Sequence, residues 1–197
     1  MNDAGELIVV VVDGAFTSPP PGDAFLQGSF DGCEPFDEVS AFAGIDDWRA
    51  LDSGFLDEHY SALFFFSEAG FRFFLPAYLV ADLRGALRSA DPLLDLIHGF
   101  SEMSIDLPAD HIVHRSGGRV LLGPRRYGAI TWEDASRHRL SVFCREEAAA
   151  VARYLRWRRD RDDLALDARR IDAALEAFWV PRSRSAPTRA NLEANAR

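Results

Sequence analysis

A chain of 197 residues, 48% hydrophobic and 27% charged, is long enough for one ordinary domain with a sizeable core. Its longest aliphatic run, Leu7 to Val12, is too short for a membrane helix and has neither the basic flank nor the cleavage site of a signal peptide. A cytoplasmic protein with no membrane partner is therefore expected. The net charge of −9 is unevenly spread: residues 1–114 set four arginines against twenty acidic groups, a net of −16, and residues 115–197 set eighteen against eleven, a net of +7. Such a split marks either two ends of one fold that neutralise each other or two surfaces with different partners.

All 22 basic residues are arginine. Base-composition bias of the genome is the expected source, since bidentate recognition needs the arginines clustered in one place. Cys33 and Cys144 fit a reducing compartment, where cysteines are mostly small buried hydrophobes.

Residues 7–17 read two ways. The β-branched run Leu7–Val12 favours a strand by propensity, whereas Ile8, Val12, Ala15 and Phe16 share one helical face. Pro19-Pro20-Pro21-Gly22-Asp23 stops either one. The spacing of Phe36, Val39 and Phe42 predicts a short helix from Glu34 to Phe42, ended by Gly44. The aromatic block His59–Leu79 is expected to build the core. Ser67 is a natural N-cap for a helix whose two apolar faces mark it as central. Pro76 lies inside that helix and predicts a kink or break, giving Ser67–Leu75 and Pro76–Arg88. Leu93, Leu94, Leu96 and Ile97 suggest a further helix running into Gly99.

A β-hairpin insertion is expected at about 110–132, around Ser116-Gly117-Gly118, with Tyr127–Trp132 as a third strand. Helix returns at about Arg145 with the stripe Ala148, Val151, Ala152 and Leu155, and again with Ile171, Ala174, Leu175 and Phe178. From Pro181 the composition predicts a disordered tail, residues 181–197. The expected architecture is mainly α: a single compact helical domain over 1–180, with the hairpin insertion and the tail.

The run His59-Tyr60-x-Ala62-Leu63-x-Phe65-Phe66-Ser67, followed by Phe71-Arg72-x-Phe74-Leu75-Pro76-Ala77-Tyr78-Leu79, resembles the hallmark of a family of uncharacterised bacterial proteins, domain-of-unknown-function family 6714. Shorter patches extend the resemblance: Ala15-Phe16, Pro21-Gly22-Asp23, Phe42-x-Gly44, Trp48 and Leu140-Ser141-Val142-Phe143. It implies a small, mainly helical domain and favours helix for residues 7–17. It implies no activity.

Several residues could carry chemistry. His59, as a general acid or base, and Arg72, as an anion clamp, lie together in the aromatic block, with Asp57 or Glu58 to orient the imidazole. Structural roles for both are the stronger expectation. His111-x-x-His114, completed by His98, Cys33 or Cys144, has metal-compatible spacing, but in a strand residues three apart face opposite ways, so no metal is expected. Cys144 precedes a helix, where a thiol can be activated. Gly117-Gly118 with Arg115, Arg119, Arg125 and Arg126 lacks any complete phosphate-loop pattern, and no cofactor is expected. Arg153, Arg156, Trp157, Arg158 and Arg159 combine arginine with an aromatic ring, as nucleic-acid surfaces do, but Asp160, Asp162 and Asp163 follow at once.

No catalytic motif is complete, so a non-enzymatic protein-binding module with an acidic surface and a basic partner, immunity-like or regulatory, is the first expectation. A small enzyme acting on an anionic molecule through His59 and Arg72 comes second. Nucleic-acid binding through residues 153–161 comes third.

Overall fold

The computed structural model describes residues 3–23, 26–28, 33–101, 132–161 and 167–195. These residues are mainly helical. The structure divides into two compact units, Met1–Asp95 and Leu96–Arg197. The hairpin expected at about 110–132 falls almost wholly outside the described residues. Its last position, Trp132, opens a helix instead. Among the described residues the single β feature is an isolated bridge between Gln27 and Phe66. No helix among them is long and apolar enough to cross a membrane.

The N-terminal unit starts with α1, Asp3–Ala15. The β-branched run is helical because helical spacing sends Val9, Val12 and Phe16 to the interior together, and that burial outweighs a strand preference of a few tenths of a kcal/mol per residue. Leu7 and Val10 are left outside, 66% and 68% exposed. The loop after α1 returns through Asp23, whose Oδ1 accepts the Gly44 N–H at 3.0 Å, with Gly44 in the left-handed region at φ 74°. The short helix α2 spans Cys33–Ser40. Val39 and Phe42 are buried as expected, whereas Phe36 is exposed.

A 3-10 turn, Trp48–Ala50, leads to α3, Ser53–Glu58, and α4, Ala62–Phe65. Asp47 and Asp52 cap the first two of these through the N–H groups of Arg49 and Phe55. Helix α5, Glu68–Leu83, is the central element and packs on α1. Ser67 caps it, accepting the Gly70 N–H at 3.1 Å. Phe71, Phe74, Leu75, Tyr78 and Leu79 are fully enclosed, with Phe73 and Ala77 on the second apolar face. The break expected at Pro76 is corrected: the helix is continuous from Glu68 to Leu83. Pro76 has no N–H to give the Arg72 carbonyl, but packing on both of its flanks holds the turns together. Phe42 is the hub of the aromatic core, with Phe55, Phe66 and Phe74 each 4.9 Å away in edge-to-face contact. Tyr60 and Phe64, from the same block, lie outside it.

Helix α6, Pro92–Ile97, carries the boundary between the units. In the C-terminal unit Gly99, at φ 87°, follows it; a Cβ there would stand 2.7 Å from the Trp132 carbonyl oxygen. Helix α7, Trp132–Leu140, opens with Glu133 and Asp134 and closes with Arg137, His138 and Arg139, the order that the helix dipole favours. Helix α8, Arg145–Arg159, buries the expected stripe. Helix α9, Ala168–Ala174, continues through a π turn, Leu175–Trp179, into α10, Val180–Ser185. The wider π turn precedes Pro181, which could not donate within a regular helix. Trp179 is fully buried and donates Nε1–H to the Leu96 carbonyl at 2.9 Å.

The disordered tail expected over 181–197 is also corrected. Helices α10 and α11, Arg189–Asn195, occupy most of it. Arg182 donates to the carbonyls of Phe143, at 2.8–2.9 Å, and Ser141. The Pro187 carbonyl takes the Arg145 N–H at 3.0 Å, and Glu146 takes the Arg189 N–H at 3.1 Å. Ala186 is 2% exposed. Composition alone reads this stretch as tail because its anchors are polar rather than apolar.

Candidate functional site

The residues proposed from sequence separate by what they touch. His59 ends α3, and its ring packs against Phe55 at 4.7 Å and Phe42 at 5.6 Å. Its Nδ1 lies 3.8 Å from Glu38 Oε2, and its carbonyl accepts the Tyr78 hydroxyl at 2.8 Å. Arg72 is not among these partners; it lies half-buried on α5. Asp57, expected to steer the imidazole, instead accepts the N–H groups of Arg88, Ser89 and Ala90 at 2.8–3.0 Å. The Ala90 and Ser89 N–H groups hold its carboxyl below the usual range. Glu38, not singled out by sequence, is the carboxylate that faces His59. Burial, together with the carboxylates of Glu38, Asp95 and Asp57, drives the Tyr78 phenol well above its ordinary pKa, so it stays a donor.

The arginine helix is partly engaged within its own unit. Arg159 pairs with Asp172 at 2.8 Å and Asp160 at 3.3 Å. Trp157 carries Arg161 at 4.5 Å and Tyr154 at 6.2 Å, which fills contact area that a stacked base needs. Arg158 is half-buried, and Arg153 and Arg156 are exposed on α8. Cys144 is fully buried, and burial pushes its thiol up to about 11. An activated nucleophile needs the opposite shift. Burial, with Arg170 and Arg139 adding to it, lowers the pKa of His98. His111, His114 and the glycine–arginine cluster around Gly117-Gly118 lie outside the described residues.

The site that sequence reading did not find is a groove of about 570 Å³ in the N-terminal unit. Helix α1 forms one wall with Glu6, Val9, Val10 and Asp13, which share a face at spacings of three, four and seven. The opposite wall is Ala77, Val80 and Ala81 of α5 with Arg84, the residue that caps its C-terminus. Trp48, Arg49 and Asp52 complete it. Trp48 is fixed there by Nε1–H donation to the Phe16 carbonyl at 3.3 Å, so the separate sequence patches at Phe16 and Trp48 meet beneath the groove. Ion pairs stand at both ends: Arg84 with Glu6 at 3.7 Å, and Arg49 with Asp13. Arg49 also reaches Asp47 at 3.4 Å and lies 4.3 Å over the Trp48 ring. One guanidinium thus faces two carboxylates, with Asp46 and Asp52 exposed nearby in the chain. The signal for the groove was present in the sequence as Val10, an apolar residue on the side of α1 that the core does not use.

No protein-family model, curated protein or solved structure matches this chain.

Proposed function

We propose that the protein is a cytoplasmic, non-enzymatic binding module that recognises a basic protein partner through its N-terminal unit, in an immunity-like or regulatory role. The observation that carries this reading is the coincidence of charge and structure. Residues 1–95 hold four arginines against seventeen acidic groups, a net of −13, and residues 96–197 hold eighteen against fourteen, a net of +4. Two of the four arginines in the acidic unit, Arg49 and Arg84, are paired to carboxylates at the groove, Asp13, Asp47 and Asp52 remain exposed there, and Asp46 is exposed next to Asp47 in the chain. Clustered exposed carboxylates beside an apolar floor attract cationic protein surfaces and set their orientation. His59 serves packing between Phe42 and Phe55, which favours binding over the His59–Arg72 enzyme reading. Kinship with domain-of-unknown-function family 6714 belongs to the same proposal and rests on the His59–Leu79 run.

The test is capture from nuclease-treated host lysate on immobilised protein, followed by elution in rising salt. A stoichiometric basic protein released by salt is the expected result. Capture that disappears with nuclease treatment, or a partner that is acidic, would remove the reading.

A further inference from the structure

We propose that the groove between α1 and α5 receives one amphipathic helix of the protein partner, anchored by a cationic side chain at the Asp13 end. The inference rests on reading the N-terminal unit as a binding surface for a basic protein and specifies how that partner docks.

The groove has a direction and a length. Glu6 and Asp13 are two helical turns apart, about 10 Å at 1.5 Å per residue, and Val9 and Val10 lie between them. Val10, 68% exposed, lines the groove, and Leu7, 66% exposed, adds apolar surface one turn back on α1 outside the groove lining, so an occupant helix has apolar contact along this side of α1. Opposite them Val80 supplies apolar surface from α5.

The charge at the two ends differs, and this selects the occupant. At one end Glu6 and Arg84 balance. At the other, the carboxylates of Asp13 and Asp47 share the one guanidinium of Arg49, so negative charge is in surplus. The pairs there are exposed and individually weak, so an incoming arginine or lysine can share Asp13 without a large loss. The fitting segment is therefore a helix with apolar residues three or four apart and a cation one turn beyond them on the same face.

The probe is an alanine-based helical peptide of about 18 residues, long enough to hold helix alone. It carries two leucines and an arginine in the matched spacing, and a second peptide of identical composition places the arginine on the opposite face. Binding is followed by fluorescence anisotropy at about 0.1 M salt, where the screening length is near 10 Å, with the wild-type protein and the variants Val10→Arg and Asp13→Asn. Val10 and Asp13 are exposed, and circular dichroism checks that the variants fold. The matched peptide is expected to bind about tenfold more tightly than its isomer, with the preference lost in Val10→Arg and reduced in Asp13→Asn. Equal binding of both peptides, weakened by salt, would overturn the groove while leaving the acidic-surface reading in place. Binding of neither would overturn the groove proposal, and the lysate capture would then decide the acidic-surface reading by itself. A protein that self-associates until Val10→Arg disperses it would put a second copy in the groove and also overturn the proposal.

Discussion

Asp57 shows how much one side chain can organise at a distance. Its carboxylate gathers three consecutive N–H groups from residues 88–90, thirty-one to thirty-three positions along the chain, and so ties α3 to the turn after α5. Those donors favour the charged form, so the folded-state pKa lies below the unfolded one. The stabilisation is then complete above the unfolded pKa and is lost as pH falls through the folded value. Asp57→Asn should lower the thermal midpoint at pH 7, and the gap from wild type should narrow as the pH drops below about 4. A gap that stays constant from pH 7 to pH 3 would exclude this role. Tyr78 offers a second check. Tyr78→Phe leaves the His59 carbonyl without its donor, and chemical denaturation should show a loss of about 1–2 kcal/mol. Local roles such as the Ser67 cap were legible in sequence because donor and acceptor sit three residues apart. The roles of Asp57 and Glu38 were not, because their partners come from folding rather than from spacing.

Among the elements, legibility followed hydrophobic periodicity. The stripes of α5, α8 and α9 were readable because their buried residues recur at helical spacing. Helix α7 was missed because its apolar content is low, although its acidic first turn and basic last turn were a usable signal. The C-terminal helices were missed for a related reason: Arg182, Arg145 and Glu146 fasten them through carbonyls and N–H groups, which no apolar pattern announces. Removal of residues 181–197 should therefore destabilise the C-terminal unit by about 3 kcal/mol, the scale of two or three charge-assisted hydrogen bonds. Unchanged protection of α8 amides in hydrogen exchange after that truncation would mean that the segment contributes nothing. Arg182→Ala should reproduce part of the loss, since burial near Phe143 makes its donors hard to replace with water.

At the scale of the whole molecule, the charge split visible in sequence falls close to a structural boundary. Moving the division from residue 114 to residue 95 leaves all four N-terminal arginines on the acidic side and all eighteen others beyond it. The two explanations open at the sequence level, mutual neutralisation or separate partner surfaces, make different demands on the exposed carboxylates around Arg49. A surface kept for a partner depends on them for binding rather than for stability. The most direct measurement compares two variants against the wild type in one binding titration with the captured partner: Asp13→Asn/Asp46→Asn/Asp47→Asn and Arg153→Ala/Arg156→Ala/Arg158→Ala. The aspartate variant is expected to lose at least about tenfold in affinity, some 1.4 kcal/mol, while the arginine variant binds as the wild type does. Retained affinity in the aspartate variant together with loss in the arginine variant would place recognition on α8 and rule out the acidic surface as the partner site.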